Sequence, residues 1–157
     1  MQKITPFLWF DGTAEAAIAL YLSTFKNARI VSESRFGEGG PAPKGTLISA
    51  TFVLDGQEFM ALNGGPHYQF SPAVSFFVNC ETQAEIDHYW DKLVDGGEPL
   101  QCGWLRDRFG VTWQIVPQGL GAMLGDSNPK KAVAAMQAMR GMVKLDIAEL
   151  KRAYEQA

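Results

Sequence analysis

Cysteine and histidine are scarce in this chain, with two of each in 157 residues. Cys80 and Cys102 form neither a disulfide framework nor a metal-spaced pair. His67 and His88 fall on different predicted elements and make no ligand cluster. No apolar run approaches the roughly 20 residues that a membrane-spanning helix needs, so no membrane partner is expected. Positive charge is in deficit, with 14 Lys and Arg against 17 Asp and Glu for a net charge of −3. That balance argues against a nucleic-acid binder, which needs a basic surface to neutralise phosphates. Lys130-Lys131, the basic pair with no carboxylate beside it, reads as a solvated helix start. Met1-Gln2-Lys3 runs straight into a short apolar strand instead of a long signal-type core. A cytoplasmic, thiol-reducing setting is therefore the expectation.

What is present is an ordinary globular composition, 46% apolar and 20% charged, in a chain long enough for one domain with a substantial core. Residues 4–10 (ITPFLWF) read as a strand, with Pro6 placing it at an edge or where a missing N–H is tolerated. Asp11-Gly12-Thr13 turns into a helix whose Ala16, Ala17, Leu20, Tyr21 and Thr24 form one small and apolar face. Residues 28–36 alternate as a strand, and residues 37–45 (GEGGPAPKG) form a loop. Residues 46–54 and 57–63 pair as a hairpin about Asp55-Gly56, a strong two-residue turn signal.

The pattern then repeats. Residues 73–78 read as a strand, and residues 81–93 as a helix stopped at Gly96-Gly97. Residues 100–106 and 111–117 are strands around a turn at Phe109-Gly110. The two openings align at a constant offset of 68 residues, which places Ile18 on Ile86, Tyr21 on Tyr89 and Phe10-Asp11 on Val78-Asn79. The late turns correspond as well, Asp55-Gly56 on Phe109-Gly110, which puts Phe59 on Trp113. Each half has the order strand-helix-strand-strand-strand. Two such units, each a curved four-stranded sheet with one covering helix, can set their concave faces around a cavity on a pseudo-twofold axis. The expected fold is α+β, two pseudo-twofold-related βαβββ modules with a C-terminal helical extension. The modules span residues 1–70 and 71–118, and the tail spans 119–157. In the tail, Asp126-Ser127-Asn128-Pro129 is a capped helix start, and Asp146 with Glu149 resembles a capping box. Val133, Met136, Met139 and Val143 form an apolar stripe suited to packing against the sheets or a partner subunit.

Three stretches are specific enough to name. Residues 61–66 (ALNGGP), 73–90 (AVSFFVNCETQAEIDHYW) and 102–117 (CGWLRDRFGVTWQIVP) closely resemble the PhnB-like branch of the vicinal oxygen chelate superfamily. The superfamily holds glyoxalase I, extradiol dioxygenases and bleomycin-resistance proteins, and this branch often carries the label demethylubiquinone methyltransferase. The resemblance implies a glyoxalase-like fold and a homodimer. It also implies that metal-using relatives place a ligand on the first and last strand of each module. Here those positions are Thr5, Met60, Ala73 and Gln114. Only Gln114 could ligate, whereas a first-row divalent ion needs several His, carboxylate or thiolate donors converging. A slip of one or two residues would bring in Asn63 or Glu58 but no histidine. No metal and no cofactor are therefore expected.

Strand alternation puts Thr5, Phe7 and Trp9 on one face, and Ala73, Ser75 and Phe77 on the matching face of the second module. With Asn63 and Gln114 at strand ends and Cys102 and Trp104 on the closing hairpin, they suit a small amphipathic or planar ligand. The same aromatics could instead simply fill the interior. Cys102 lies near Arg106 and Arg108 in sequence but has no neighbouring histidine to act as a base, so an inert thiol is expected. Cys80 is expected to be inert too, His67 to sit near the pocket mouth and His88 to face solvent. Asp107 reads as a turn acid in surface ion pairs. The glycines at 37, 39 and 40 lack the helix start that a phosphate loop requires. The leading expectation is a metal-independent small-molecule-binding protein with no assigned reaction. The alternatives are a lyase, isomerase or transferase acting on a small organic molecule, and a drug-sequestering resistance protein. The methyltransferase label fits poorly, because such enzymes commonly use a doubly wound sheet with a glycine-rich strand-to-helix turn.

Overall fold

A computed structural model describes residues 2–157 and divides the chain into two compact units, Met1–Phe70 and Ser71–Ala157. The architecture is α+β, with eight strands and five helices among the described residues.

The first unit contains β1 (Phe7–Phe10), α1 (Ala14–Thr24), β2 (Arg29–Arg35), β3 (Leu47–Leu54) and β4 (Gln57–Asn63), in the sheet order β1-β4-β3-β2. β1 runs parallel to β4 and the other pairs are antiparallel. The Asp55-Gly56 turn has both residues at positive φ, 48° and 83°, the twist a two-residue hairpin needs. Alternation sorts the sheet into two faces. Leu8, Phe10, Ala50, Phe52, Phe59 and Ala61 are buried with Ala14, Ala17, Ile18 and Tyr21 of α1. Each large apolar side chain so buried contributes about 2 kcal/mol. Phe52 and Phe59, directly opposite across β3 and β4, stack at 5.6 Å. The other face carries Phe7, Trp9 and Met60, and Phe7 keeps 50% of its surface exposed. β2 is an irregular, exposed edge strand; its Arg35 grips Glu15 of α1 through both carboxylate oxygens.

The second unit repeats the plan with β5 (Phe76–Cys80), α2 (Gln83–Val94), β6 (Glu98–Pro99), β7 (Trp104–Arg106) and β8 (Thr112–Pro117), in the order β5-β8-β7-β6. Ile86, Tyr89, Trp90 and Leu93 of α2 are buried with Leu105, Trp113 and Ile115 of the sheet. The expected strand at residues 100–106 is shorter than the sequence suggests. Cys102 and Gly103 both have positive φ, 61° and 84°, and the Leu100 amide donates to Trp104 O. They form the tip of a small hairpin between β6 and β7, so regular alternation begins only at Trp104.

Equivalent hydrogen bonds also correct the internal register. The Gly64 amide donates to Phe10 O, and the Gln118 amide donates to Cys80 O. Phe10 thus matches Cys80, two residues beyond the Val78 that the constant offset assigned. The Ala17 and Ile86 amides donate to Thr13 O and Thr82 O, so the helices match one residue further on than expected. With Phe7 paired to Met60 and Phe77 to Gln114, the counterpart of Thr5 is Ser75. Ala73 lies in the loop before β5.

The tail holds α3 (Leu120–Leu124), α4 (Pro129–Arg140) and α5 (Ile147–Glu155). Asn128 caps α4 with Pro129 just inside, and Asp146 caps α5 by accepting from the Glu149 amide. Val116, Leu120, Leu145 and Leu150 form the buried centre, with Met139 and Met142 packed against it. The stripe read from the sequence is therefore split. Met139 faces inward, whereas Val133, Met136 and Val143 stay exposed. Cys102 and Gly103 donate their amides to Met142 O and Val143 O. Gln83 bonds both Leu145 O and the Ile147 amide, and Lys144 pairs with Asp87 at 2.9 Å. A β-carbon at residue 103 would meet Ile115 O at 2.9 Å and the Leu145 side chain at the same distance. Only glycine lets the tail approach this closely.

Candidate functional site

In the second unit, the sheet face turned away from α2 gathers four of the nine expected ligand residues, Ser75, Phe77, Trp104 and Gln114. Gln114 is paired in register with Phe77 on one side and with Trp104 on the other. Its amide donates to Ser75 Oγ at 2.9 Å. Phe77 is 53% exposed and Trp104 half-buried, so two aromatic rings flank a neutral polar pair. Two register positions further along the same pair of strands, Arg106 lies opposite Thr112. The Arg106 Nε and the Thr112 hydroxyl are both buried with no hydrogen-bond partner. Sequence reasoning missed both residues. It let Arg106 share a face with Cys102 only if no bulge intervenes, and the positive-φ turn at Cys102-Gly103 is such an interruption. The three-residue alternation Trp104-Leu105-Arg106, with Leu105 fully buried, was the signal that could have found the arginine.

In the first unit, the expected residues are more heavily engaged. The Trp9 indole donates to Gly65 O at 2.9 Å and meets Tyr68 edge-on at 4.9 Å. Gly64 lies directly against that indole, where a β-carbon would come within 2.3 Å of the ring. Asn63 accepts from the Ala14 amide and donates to Leu47 O. It supplies the cap that Thr13, which makes no side-chain bond there, does not provide. Thr5 is half-buried, with its hydroxyl 3.4 Å from the Gln2 amide nitrogen. His67 and His88 are exposed.

The structure corrects the expectation for Asp107. It is 2% exposed, and its carboxylate accepts from the Phe109 and Val111 amides and from Trp113 Nε1. It organises the turn between β7 and β8 from within, instead of sitting in surface ion pairs. Burial, with the Glu85 charge adding to it, pushes the Cys80 thiol up to about 12. Cys102 is half-buried at its strained turn.

After the register correction, the positions that the family resemblance points to are Thr5 and Ser75, just ahead of β1 and β5, with Met60 on β4 and Gln114 on β8. This set offers two hydroxyls, a thioether and an amide, and it does not fit a first-row divalent ion. Among the described residues, no three His, Cys, Asp or Glu side chains converge as a metal cluster.

A family model described as 3-demethylubiquinone-9 3-methyltransferase matches residues 2–116. The chain belongs to that family. It is the PhnB-like branch of the vicinal oxygen chelate superfamily, and the matched segment ends within β8, before the helical tail. A PhnB protein from Bacillus cereus, itself named a 3-demethylubiquinone-9 3-methyltransferase, is 44% identical over 74% of this chain and 99% of that one, with a TM-score of 0.70. A Pseudomonas aeruginosa protein at 23% identity, covering 75% and 98% of the two chains, has the same fold with a TM-score of 0.64. No curated protein matches the sequence. Among the described residues, no helix is long and apolar enough to cross a membrane.

Proposed function

We propose that this PhnB-like protein is a metal-independent small-molecule-binding protein, and that its ligand lies against the open sheet face around Gln114. The supporting observation is the pair Phe77 and Trp104 flanking Gln114 and Ser75. Exposed aromatic surface beside a few fixed polar groups is the chemistry of a site for a planar or amphipathic molecule. Phe7 and Trp9, with Thr5, supply the corresponding surface on the first unit. Asn63 and Cys102 contribute through the backbone they hold. The methyltransferase name is not carried over. Each sheet here has a single parallel pair, β1 with β4 and β5 with β8, whereas the common methyltransferases bind their cofactor on a doubly wound parallel sheet.

Titration with benzamide, followed by tryptophan fluorescence, tests the reading. Saturable quenching that is lost in Trp104→Phe and weakened several-fold in Gln114→Ala is expected. Unchanged fluorescence in the wild-type protein at millimolar benzamide would refute it. We also propose a homodimer in a cytoplasmic setting, with exposed Val133 and Met136 of α4 available to the contact. Sedimentation should give a dimer that Val133→Glu with Met136→Glu dissociates, and a monomeric wild type would remove this part of the proposal.

A further inference from the structure

Arginine is the one cation among the residues of β5, β6, β7 and β8, and Glu98 is the one anion. The two come no closer than 3.9 Å, through Arg106 Nη1. That distance is too long for a hydrogen bond, and the Glu98 side chain is 62% exposed on the edge strand, where solvent weakens its hold. Arg106 Nε has no acceptor at all. The neighbouring Thr112 is 1% exposed, and its hydroxyl also lacks a partner. Buried polar atoms are nearly always paired, and here two orphans sit opposite one another on adjacent strands, beside the Gln114 and Trp104 pair.

From this juxtaposition we infer that the open face of the second sheet selects a ligand bearing a carboxylate on a flat apolar body. This inference rests on the reading of that face as a small-molecule site. A planar guanidinium presents parallel N–H donors that match the two oxygens of a carboxylate. Docking a carboxylate against Arg106 gives Nε its acceptor. The flat body then covers Trp104 and Phe77, whose rings border the same register positions. The Asp107 oxygens accept from the turn amides and from Trp113. Arg108 is directed elsewhere, over the Phe109 ring at 4.9 Å.

Benzoate and its neutral isostere benzamide separate this inference from the reading beneath it. Both are titrated into the full-length isotope-labelled protein, and binding is followed by backbone amide shifts. The expected result is benzoate binding tighter than benzamide by about tenfold, one charge-assisted pair's worth. In Arg106→Gln that preference should vanish, with benzoate and benzamide binding alike. Arg106→Lys, which keeps the charge and loses the fork, should lose most of the preference, and it serves as the readout if the glutamine variant does not fold. Equal binding of the two probes by the wild type, or a preference that survives both substitutions, would overturn the inference and leave the small-molecule reading standing. If neither probe shifts the amides of Phe77, Trp104 and Gln114, the reading falls and the inference falls with it.

Discussion

Asp107 holds Trp113. The buried carboxylate accepts the indole N–H at 2.9 Å through one oxygen, while the other takes the amides of Phe109 and Val111. One side chain thereby fixes both the turn between β7 and β8 and the aromatic ring beneath α2. Asp107→Ala should leave three donors without their acceptor and destabilise the protein by about 3 kcal/mol or more. Asp107→Asn keeps one acceptor oxygen and should cost less. Urea denaturation followed by tryptophan fluorescence measures both. A loss below about 1 kcal/mol for the alanine variant would show that the turn does not depend on this carboxylate.

Asn63 closes the first unit in a comparable way, joining the N-terminus of α1 to the start of β3. Because it acts as a remote cap, Asn63→Ala should lower stability by about 1–2 kcal/mol. Benzamide affinity at the second unit should be unaffected. A binding loss larger than the stability loss would assign Asn63 a direct ligand contact instead.

The tail is tied down by a pH-sensitive pair. Hydrogen bonding to Lys144, then to Gln83, holds the Asp87 carboxyl below its ordinary range, and the same pairing raises the Lys144 ammonium. A depressed carboxylate contributes above its unfolded pKa and loses that contribution as pH falls through the folded value. The raised lysine contributes below its own unfolded pKa and loses the contribution as pH climbs through the raised value. Docking of α5 should therefore be constant near neutrality and weaken below about pH 4. Both side chains are partly exposed, so the effect is small and screened by salt. Hydrogen exchange of the α5 amides against pH measures it. Asp87→Asn should flatten the acid limb, and an acid limb identical to wild type would exclude this pair as its source.

The two thiols should differ in reactivity. With Cys80 fully buried and its pKa pushed up to about 12, almost no thiolate exists at neutral pH. Iodoacetamide applied to the native protein at pH 7.5 should label Cys102 and spare Cys80, as read by peptide mass spectrometry. Labelling of Cys80 at a comparable rate would contradict the burial described.

Much of the fold was legible because local chemistry and tertiary structure agree. Asp55-Gly56 demanded positive φ at both positions, and the caps at Asn128 and Asp146 sit where their side chains satisfy the first helical amides. The family was legible in the 102–117 stretch. The register of the repeat was not, because the first strands and the helices slip by different amounts between the units. The hydrogen bonds of Phe10 and Cys80, with the pairing of β1 to β4 and of β5 to β8, fix the match. Asp107 was misread because a carboxylate between two arginines looks solvated in sequence, and its actual partners, the Val111 amide and Trp113, become neighbours only when β7 and β8 pair. The same pairing brings Arg106 opposite Thr112. In sequence, the positive-φ turn that detaches Arg106 from Cys102 looks like ordinary strand.

The central claim is that the sheet face around Gln114 binds a small organic molecule without a metal ion. Amide shift mapping of chelator-treated protein with benzamide tests it most directly. The account predicts saturable shifts at Ser75, Phe77, Trp104 and Gln114, unchanged when manganese, nickel or zinc is then added. Shifts that appear at those residues only after a divalent ion is restored would contradict it.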